Sequence, residues 1–450
     1  MKSKNVLIVI SVLGVGGTEI QTLNTVRALV HGGYKVTVLC LFRYVASVVA
    51  KYERCGAKVY CASPQYNDYG IKIIYPRRLS LLFFLYKHLS KVIKREKIDI
   101  IHVQNITPAS SVILVSYFLL FKRNIIATAH TSADIYKDLR LIHFLQRHCL
   151  RTFTCITERA ERSFFGSSQL YTTDTVLGKR NHFTIYNCLP PAMQGQSTVN
   201  SQQAASGVGS QFHADSTDST EDICQRDGHT NLNALTHTQA CAGQDSQRLN
   251  ENNNNNDDCI VSQHSTLNTQ PYTKRTLGVV SRLEPIKGMD LVVPAFAEVL
   301  KAHPDTLLLV VGDGSLRASM EQQAVELGCA DHIRWVGRQP QEELSQWYGQ
   351  MDIVLMPSRS EGFGLTAIEA MACGCVMVAS DVGGLPEVVR DGECGLLHRT
   401  EDVPDMAAKI TTLIRDQELY NKLKAQSLRE VEKYSFERYA ELIHNLYGKL

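Results

Sequence analysis

Long apolar runs are absent from the sequence. No stretch of about 20 consecutive apolar residues occurs, and a membrane-spanning helix requires about that length. The apolar segment at 112–121 is too short and ends at Lys122 and Arg123. The sequence opens with two lysines and an apolar run, as a signal peptide does, but no small-residue cleavage site follows. We therefore expect no spanning helix and interpret the opening run as a buried strand.

An excess of charge of one sign is also lacking. The formal net charge is +2, whereas nucleic-acid-binding domains usually have a strongly basic surface. The 13 cysteines contain no CxxC pair, the spacing typical of zinc and redox sites. These absences favour a cytoplasmic protein with reduced, buried thiols and without a nucleic-acid partner. A hydrophobic content of 44% is sufficient for a large core.

Strand and helix patterns alternate along both halves of the chain. Continuous apolar runs predict strands covered on both faces, and segments of helical apolar spacing follow most of them. This alternation predicts two α/β domains with parallel sheets. The predicted strands lie at 6–12, 35–41, 98–103, 124–129, 152–156, 183–186, 276–280, 306–311, 332–336, 353–356 and 376–379. The predicted helices of the second half include 290–302, 316–327 and 435–450.

The segment at 192–270 separates these halves and has a different composition. It is rich in Gln, Asn, Ser, Thr and Asp, contains Phe212 as its one aromatic residue, and includes five consecutive asparagines at 252–256. Such a segment cannot bury enough apolar surface to offset the entropy of ordering it. We therefore predict a disordered linker. A tolerated insertion is favoured over a functional role, since long loops add little closure entropy.

A glycine loop containing Gly14, Gly16 and Gly17 follows the first predicted strand and opens a helix. Free N–H groups at a helix N-terminus suit a phosphate, although a simple tight turn explains the glycines equally well. The dinucleotide fingerprint needs a third glycine and an acidic residue at the end of the next strand. Neither is present, so an NAD-dependent oxidoreductase is disfavoured.

Two cations follow the strand predicted at 276–280. Arg282 and Lys287 lie five residues apart on the next loop. Ligands of parallel sheets bind beyond the carboxyl ends of the strands, and both side chains bind phosphate oxygens well. The alternative is a solvated surface loop.

The segment at 360–372 carries the strongest pattern. Glu361 lies in a glycine loop, and Glu369 lies eight positions later on the helix that this loop opens. The N–H groups of Gly364, Leu365 and Thr366 are suited to a diphosphate. Carboxylates accept hydrogen bonds from sugar hydroxyls, so Glu369 can bind a ribose diol. Helix capping by acidic residues is the alternative, and it explains Glu369 poorly because its neighbours are small and apolar.

This segment resembles the E-x7-E motif of the retaining GT-B glycosyltransferases of family 4. Similar matches occur at 14–17, 128–131, 185–187, 281–288, 312–314 and 381–387, so the resemblance covers nearly the whole chain except 192–270. It implies a GT-B fold, in which two Rossmann-like domains place their parallel sheets across a cleft. We expect an acceptor domain at 1–190, a linker at 191–271, a nucleotide-sugar domain at 272–434, and a final helix at 435–450 that packs back toward the first domain.

The resemblance also implies roles for residues of this chain. Arg282 and Lys287 would neutralise the donor diphosphate, and Glu369 would bind the ribose. Glu361 and His130 would form the catalytic pair at the donor sugar. The remaining expected donor-binding residues are Gly16, Gly17, Gly312, Gly364, Leu365 and Thr366. The chain departs from the family pattern at Asn187-Cys188-Leu189-Pro190, where the family commonly has Asn-Gly-Val-Asp.

The expected function is transfer of a sugar from a nucleotide-sugar donor to a glycan or lipid-linked acceptor in cell-surface polysaccharide biosynthesis. The resemblance implies retention of the anomeric configuration. UDP-sugars are the broad expectation for the donor, with GDP-mannose as the main competitor. No DxD motif lies on a predicted loop outside the linker, so we expect no cofactor and no essential metal.

Two alternatives and one question of location stay open. The chain could be a GT-B epimerase that needs no acceptor, or a nucleotide-sugar-binding protein without turnover. The segment at 76–97 combines Lys and Arg with Leu and Phe, as do helices that lie on anionic membranes. Peripheral contact with the inner face of the membrane is therefore one hypothesis, and a helix packed on its own sheet is the other.

Overall fold

A computed structural model describes residues 4–62, 78–104, 106, 124–178, 181–191, 193 and 275–450. Its N-terminal part contains a parallel sheet of seven strands in the order β3-β2-β1-β4-β5-β6-β7. The strands are β1 (Asn5–Leu13), β2 (Lys35–Tyr44), β3 (Lys58–Cys61), β4 (Ile100–Gln104), β5 (Asn124–Ala129), β6 (Thr152–Cys155) and β7 (His182–Thr184). The described helices of this part are α1 (Gly17–His31), α2 (Ala46–Arg54), α3 (Arg78–Arg95), α4 (Arg140–His148) and α5 (Glu158–Phe165).

The C-terminal part contains a second parallel sheet, of six strands in the order β10-β9-β8-β11-β12-β13. The strands are β8 (Thr276–Val280), β9 (Leu307–Val311), β10 (Ile333–Gly337), β11 (Ile353–Met356), β12 (Val376–Ser380) and β13 (Gly395–His398). The helices are α6 (Val292–Ala302), α7 (Arg317–Glu326), α8 (Leu344–Tyr348), α9 (Leu365–Ala372), α10 (Leu385–Val389), α11 (Val403–Arg415), α12 (Gln417–Glu430) and α13 (Phe436–Gly448). Two parallel α/β sheets were predicted, and both are present.

The continuous apolar run of β1 is explained by burial on both faces. Leu7 and Val9 join the hydrophobic cluster that contains residues of α3 and α4. Val6 and Ile8 join the opposite cluster, which contains residues of α1 and α13. Because successive side chains of a strand point to opposite faces, a strand between two helical layers must be apolar at every position.

Most predicted strands agree with the structure within a few residues. Three elements differ. The strands β3 and β13 were not predicted, because each is an edge strand of only four residues and gives a short signal; β3 also begins at the exposed Lys58. The helix predicted at 290–302 begins with a 3₁₀ turn, Met289–Leu291, and becomes α-helical at Val292.

The final helix, α13, packs against α1 of the N-terminal part. Ser435 caps its first turn by accepting from the N–H of Arg438 at 3.4 Å. The Tyr439 hydroxyl lies 2.7 Å from Thr25 Oγ1, and His444 Nε2 lies 2.6 Å from the carbonyl oxygen of Ala28. The chain therefore returns from the second sheet to cover a helix of the first.

The predicted linker at 191–271 lies outside the described residues except for Pro191 and Met193. The domain boundaries and the disorder assigned to this segment therefore stay predictions. Within the described part of the chain, no helix is both long enough and apolar enough to cross a membrane.

Candidate active site

The loops after β8, β9 and β11 meet at one edge of the second sheet, because the carboxyl ends of parallel strands lie together. Two glycines allow these loops to touch. Gly312 has φ +139°, and a Cβ there would collide with the carbonyl oxygen of Ser281. Gly288 has φ +64°, and a Cβ there would collide with the carbonyl oxygen of Pro357. Glycine is therefore required at 312 and 288 because another backbone approaches each position too closely for a Cβ.

Lys287 and Glu361 come together across this edge. Lys287 Nζ lies 2.6 Å from Glu361 Oε2, and both side chains are largely buried. Lys287 ends the 3₁₀ turn Pro285–Lys287, and Glu361 lies on the loop after β11. The structure therefore joins two of the predicted site residues in one ion pair, which neutralises both charges.

Arg359 holds the two loops in place. Its backbone N–H donates to the carbonyl of Ile286 at 3.0 Å. Its guanidinium forms two hydrogen bonds of 2.7 Å with Asp290, and it also bonds Glu401 and the carbonyl of Pro285. A fork of this kind fixes the turn that carries Lys287 relative to the loop that carries Glu361.

Arg282 lies exposed on the loop after β8 and has no ion-pair partner within 4 Å among the described residues. Its charge acts on Glu19, in the first turn of α1. Burial raises the pKa of the Glu19 carboxyl, while the N–H groups of Glu19 and Gly14 and the charge of Arg282 act in the opposite direction. Glu19 was not predicted as a site residue, although it lies two positions after Gly17, the last residue of the glycine loop.

The predicted glycines of the first half meet the second half at the first turn of α9. A Cβ on Gly17 would lie 3.4 Å from Leu365 Cδ1. A Cβ on Gly16, the residue before α1, would lie 2.8 Å from Glu19 Oε2. The N-terminus of α1 is thus packed against that of α9, where Gly364, Leu365 and Thr366 are found.

The turn that opens α9 depends on glycine. Gly364 caps the helix with φ +102°, a left-handed conformation, and a Cβ there would lie 2.8 Å from Leu385 Cδ2. Intrahelical bonding begins with the N–H groups of Ala367 and Ile368, both of which donate to the carbonyl of Gly364. The N–H groups before them belong to the first turn, where helices lack internal acceptors and favour anions.

Glu369 is the fifth residue of α9 and is only 4% exposed. Its carboxylate accepts from the Tyr348 hydroxyl at 3.1 Å and from Gln341 Nε2 at 3.4 Å. Burial raises its pKa to about 7, and the hydrogen bonds from Tyr348 and Gln341 lower it. The position excludes helix capping. Tyr348 and Gln341 were not predicted, because nothing in their spacing connects them with Glu369.

His130 follows β5 and is 6% exposed. Its Nε2 lies 2.7 Å from Gln104 Oε1, and burial lowers its pKa to about 4, so the ring is neutral near pH 7. A Cβ on Gly362 would collide with the carbonyl oxygen of His130. The predicted catalytic residues Glu361 and His130 therefore lie on loops that touch each other.

The segment that departs from the family pattern is held by both halves of the chain. The N–H of Cys188 donates to Gln21 Oε1 at 3.1 Å, and Asn24 Nδ2 donates to the carbonyl of Cys188 at 3.4 Å. The N–H of Leu189 donates to the carbonyl of Tyr434 at 2.8 Å. Cys188 and Leu189, which differ from the family pattern, therefore have defined backbone partners on α1 and before α13.

Comparisons with known proteins identify the class to which this architecture belongs. The family model described as Glycosyltransferase Family 4 matches residues 15–170, and the one described as Glycosyl transferases group 1 matches residues 265–429. The chain belongs to the glycosyltransferases that these two models describe, and the predicted family is confirmed, whereas retention of the anomeric configuration stays a prediction.

Solved structures confirm the predicted GT-B fold. The crystal structure of Anabaena HepE in complex with UDP and glucose has a TM-score of 0.65 at 16% identity, over 99% of this chain and all of that one. The apo form of the lipopolysaccharide outer core galactosyltransferase WaaB has a TM-score of 0.61 at 15% identity, over 99% and 100%.

Curated relatives match over a shorter stretch. D-inositol 3-phosphate glycosyltransferase of Corynebacterium jeikeium is 36% identical over 187 residues, which is 40% of this chain and 45% of that protein. The enzyme of the same name from Nocardia farcinica is 37% identical over 169 residues, which is 36% and 38%. The chain thus spans less than half the length of these relatives.

Proposed function

We propose that this protein transfers a sugar from a nucleotide-sugar donor to a glycan or lipid-linked acceptor, with retention of the anomeric configuration. The observation that carries the proposal is the convergence of Arg282, the Lys287–Glu361 pair, the first turn of α9 and Glu369 at one sheet edge. Two cations, a helix N-terminus and a buried carboxylate provide partners for a diphosphate and for sugar hydroxyls.

The donor chemistry needs stabilisation of a leaving nucleoside diphosphate. Negative charge develops on this group as the glycosidic bond breaks, and positioned cations and N–H groups stabilise it. Lys287 would exchange Glu361 for a phosphate oxygen when the donor binds. Glu361, released from the ion pair, would then accept a hydrogen bond from a hydroxyl of the donor sugar.

The nucleoside of the donor is proposed to be uridine. HepE was crystallised with UDP and glucose, which supports a UDP-linked donor in this fold. Gly17 and Leu365 bring the two halves of the chain together at the first turns of α1 and α9, where the diphosphate is proposed to bind. Such closure excludes water that would otherwise hydrolyse the donor. GDP-mannose is the competing donor.

The acceptor is proposed to be a cell-surface glycan or its lipid-linked precursor. The name of WaaB supports a lipopolysaccharide acceptor in this fold, whereas the names of the curated relatives point to D-inositol 3-phosphate. Because those relatives match over less than half their length, the inositol phosphate is the second acceptor to test.

A peripheral membrane contact is a further part of the proposal. Helix α3 packs on its sheet through Leu85 and Leu89, yet Phe83 is 69% exposed. Lys87, Lys91 and other cations of α3 are also exposed, and this combination suits an anionic lipid surface. Flotation with anionic liposomes tests it: we expect co-flotation that a Lys87→Glu, Lys91→Glu double variant loses, and no flotation of the wild type would contradict it.

Turnover separates the transferase from its alternatives. Purified protein is incubated with UDP-glucose or GDP-mannose and a panel of acceptors, and both the released nucleotide and the sugar product are measured. Nucleotide release that depends on an acceptor supports transfer. Interconversion of the UDP-sugar without acceptor would indicate an epimerase, and binding without any conversion would indicate a nucleotide-sugar-binding protein.

A further inference from the structure

A chain of buried polar side chains runs from His130 through the first sheet to α13. His130 Nε2 lies 2.7 Å from Gln104 Oε1. Beyond Gln104, the His102 ring lies 2.6 Å from Thr128 Oγ1 through Nε2 and 2.6 Å from the Tyr447 hydroxyl through Nδ1. Thr128 Oγ1 in turn lies 2.7 Å from Thr154 Oγ1. All six side chains are buried: His102, Gln104, Thr128, His130, Thr154 and Tyr447.

The hydroxyl and ring protons of these buried side chains can be assigned if one starts from Thr154. The Thr154 hydroxyl donates to the carbonyl of Ala127 at 3.4 Å, because a carbonyl can only accept. Thr154 therefore accepts from Thr128, and the proton of Thr128 is used there. Thr128 must then accept from Nε2–H of His102, which leaves His102 Nδ1 to accept from the Tyr447 hydroxyl. Burial lowers the pKa of His102 to about 3, which agrees with a neutral ring carrying one proton.

The orientation of the Gln104 amide follows from its position on the His102 ring. Gln104 Nε2 lies 3.4 Å from His102 Nδ1 and 3.3 Å from His102 Nε2. Nearly equal distances place the amide nitrogen over the face of the ring, because in the ring plane it would collide with the carbon between the two nitrogens. An N–H group interacts favourably with an aromatic face, whereas a carbonyl oxygen would meet the negative face of the ring. The Gln104 carbonyl oxygen is thereby directed to His130.

We propose that Gln104 is a positioning residue that fixes His130 as the neutral Nε2–H tautomer and leaves Nδ1 as the acceptor of the ring. Gln104 Oε1 can only accept, so the hydrogen of this bond belongs to His130. The inference rests on the proposed function, in which His130 lies beside the donor sugar. There, Nδ1 would accept a hydrogen bond from a sugar hydroxyl and could not donate one.

A glutamine suits this task better than a carboxylate. Its amide group accepts from His130 on one side and faces His102 on the other without carrying charge. A glutamate at 104 would add an unpaired charge to a buried network or draw a proton onto His130. The residue therefore keeps His130 neutral while determining which nitrogen carries the proton.

Nitrogen NMR of the full chain, with ¹⁵N-labelled histidine, tests the tautomer directly. The signals of His130 are identified by their loss in a His130→Asn variant. We expect a protonated Nε2 and an unprotonated Nδ1 for His130 in the wild type. A protonated Nδ1 would overturn the proposal, because Gln104 would then be donating to the ring. This measurement needs neither turnover nor nucleotide, so its failure is distinct from a failure of the proposed function.

Two variants test whether the bond matters for transfer. Gln104→Leu should give a mixture of His130 tautomers and lower kcat by up to about 100-fold, the effect of displacing a positioned group slightly. Donor affinity should be unchanged. Tyr447→Phe removes the other end of the chain and should leave both the His130 tautomer and kcat unchanged. Equal losses of kcat and of folded protein in both variants would indicate a structural role alone and would contradict the proposal.

Discussion

The protonation of Glu369 governs how the candidate site responds to pH. Its carboxyl is buried, its neighbours Tyr348 and Gln341 are uncharged donors, and its pKa is raised to about 7. The ionised form accepts hydrogen bonds from a ribose diol at both oxygens, whereas the protonated form loses part of this capacity. Below about pH 7 the Glu369 carboxyl is protonated, so it must lose its proton when the donor binds to the ionised form.

We expect donor affinity to fall as the pH is lowered through about 7. Above this pKa the Glu369 carboxylate is already ionised, and the donor binds it without displacing a proton. Affinity is therefore highest there. Calorimetric titration with UDP-glucose, whose diphosphate does not titrate in this range, measures the effect between about pH 5.5 and 8.5. In Glu369→Gln the affinity should be weak and should no longer change near pH 7. An unchanged pH profile in that variant would show that another group titrates.

Residues at the site differ in how far the sequence could predict them. Arg282, Lys287, Glu361 and Glu369 lie in short motifs whose spacing indicates their chemistry. Tyr348, Gln341 and Gln104 could not be predicted in this way, since each meets its site partner only through packing between separate elements. The Lys287–Glu361 ion pair was likewise not foreseen, because 74 positions separate its two members.

At the scale of elements, the fold was largely predictable because buried parallel strands leave continuous apolar runs. That signal fails for the four-residue edge strands β3 and β13. It also cannot define the turn that opens α9. There, the left-handed Gly364 and the approach of Leu385 are properties of the packed loops, although the glycine itself is visible in the sequence.

Replacing Gly364 with alanine should damage both stability and donor binding. A non-glycine residue in this conformation costs about 1–3 kcal/mol, and the added Cβ would also press on Leu385. Chemical denaturation measures the free energy of unfolding, and UDP titration measures binding. Gly178→Ala is the matched control, because Gly178 is exposed and its Cβ would meet nothing within 4 Å. Equal effects of both substitutions would contradict the role given to Gly364.

At the scale of the whole molecule, the C-terminal helix belongs to the core of the first sheet. Leu446 and Tyr447 of α13 are fully buried in the cluster that contains Val26 and Leu29 of α1. The hydrogen bond between Tyr439 and Thr25 joins the same two helices. The last turns of the chain therefore stabilise its first helix.

Leu446→Ala should destabilise the N-terminal part although it changes the C-terminal end of the chain. The lost contacts and the resulting cavity cost about 2–5 kcal/mol. Hydrogen exchange should show reduced protection of the amides of α1. The exposed Glu441 of the same helix provides the control, Glu441→Ala, which should leave this protection unchanged. If α1 keeps full protection in Leu446→Ala, the two helices do not form one stabilising unit.

The central claim is that the loops after β8 and β11 and the helix α9 form a nucleotide-sugar donor site. Thermal unfolding with UDP, GDP, ADP and their sugar conjugates tests it most directly, because a ligand at about 100 times its Kd stabilises the folded state by about 2.7 kcal/mol. We expect stabilisation by the uridine series in the wild type and in the control variant Glu326→Gln, which changes an exposed carboxylate on α7. We expect a much smaller shift in Glu369→Gln. No shift with any nucleotide, or an equal shift in all three proteins, would contradict the donor site.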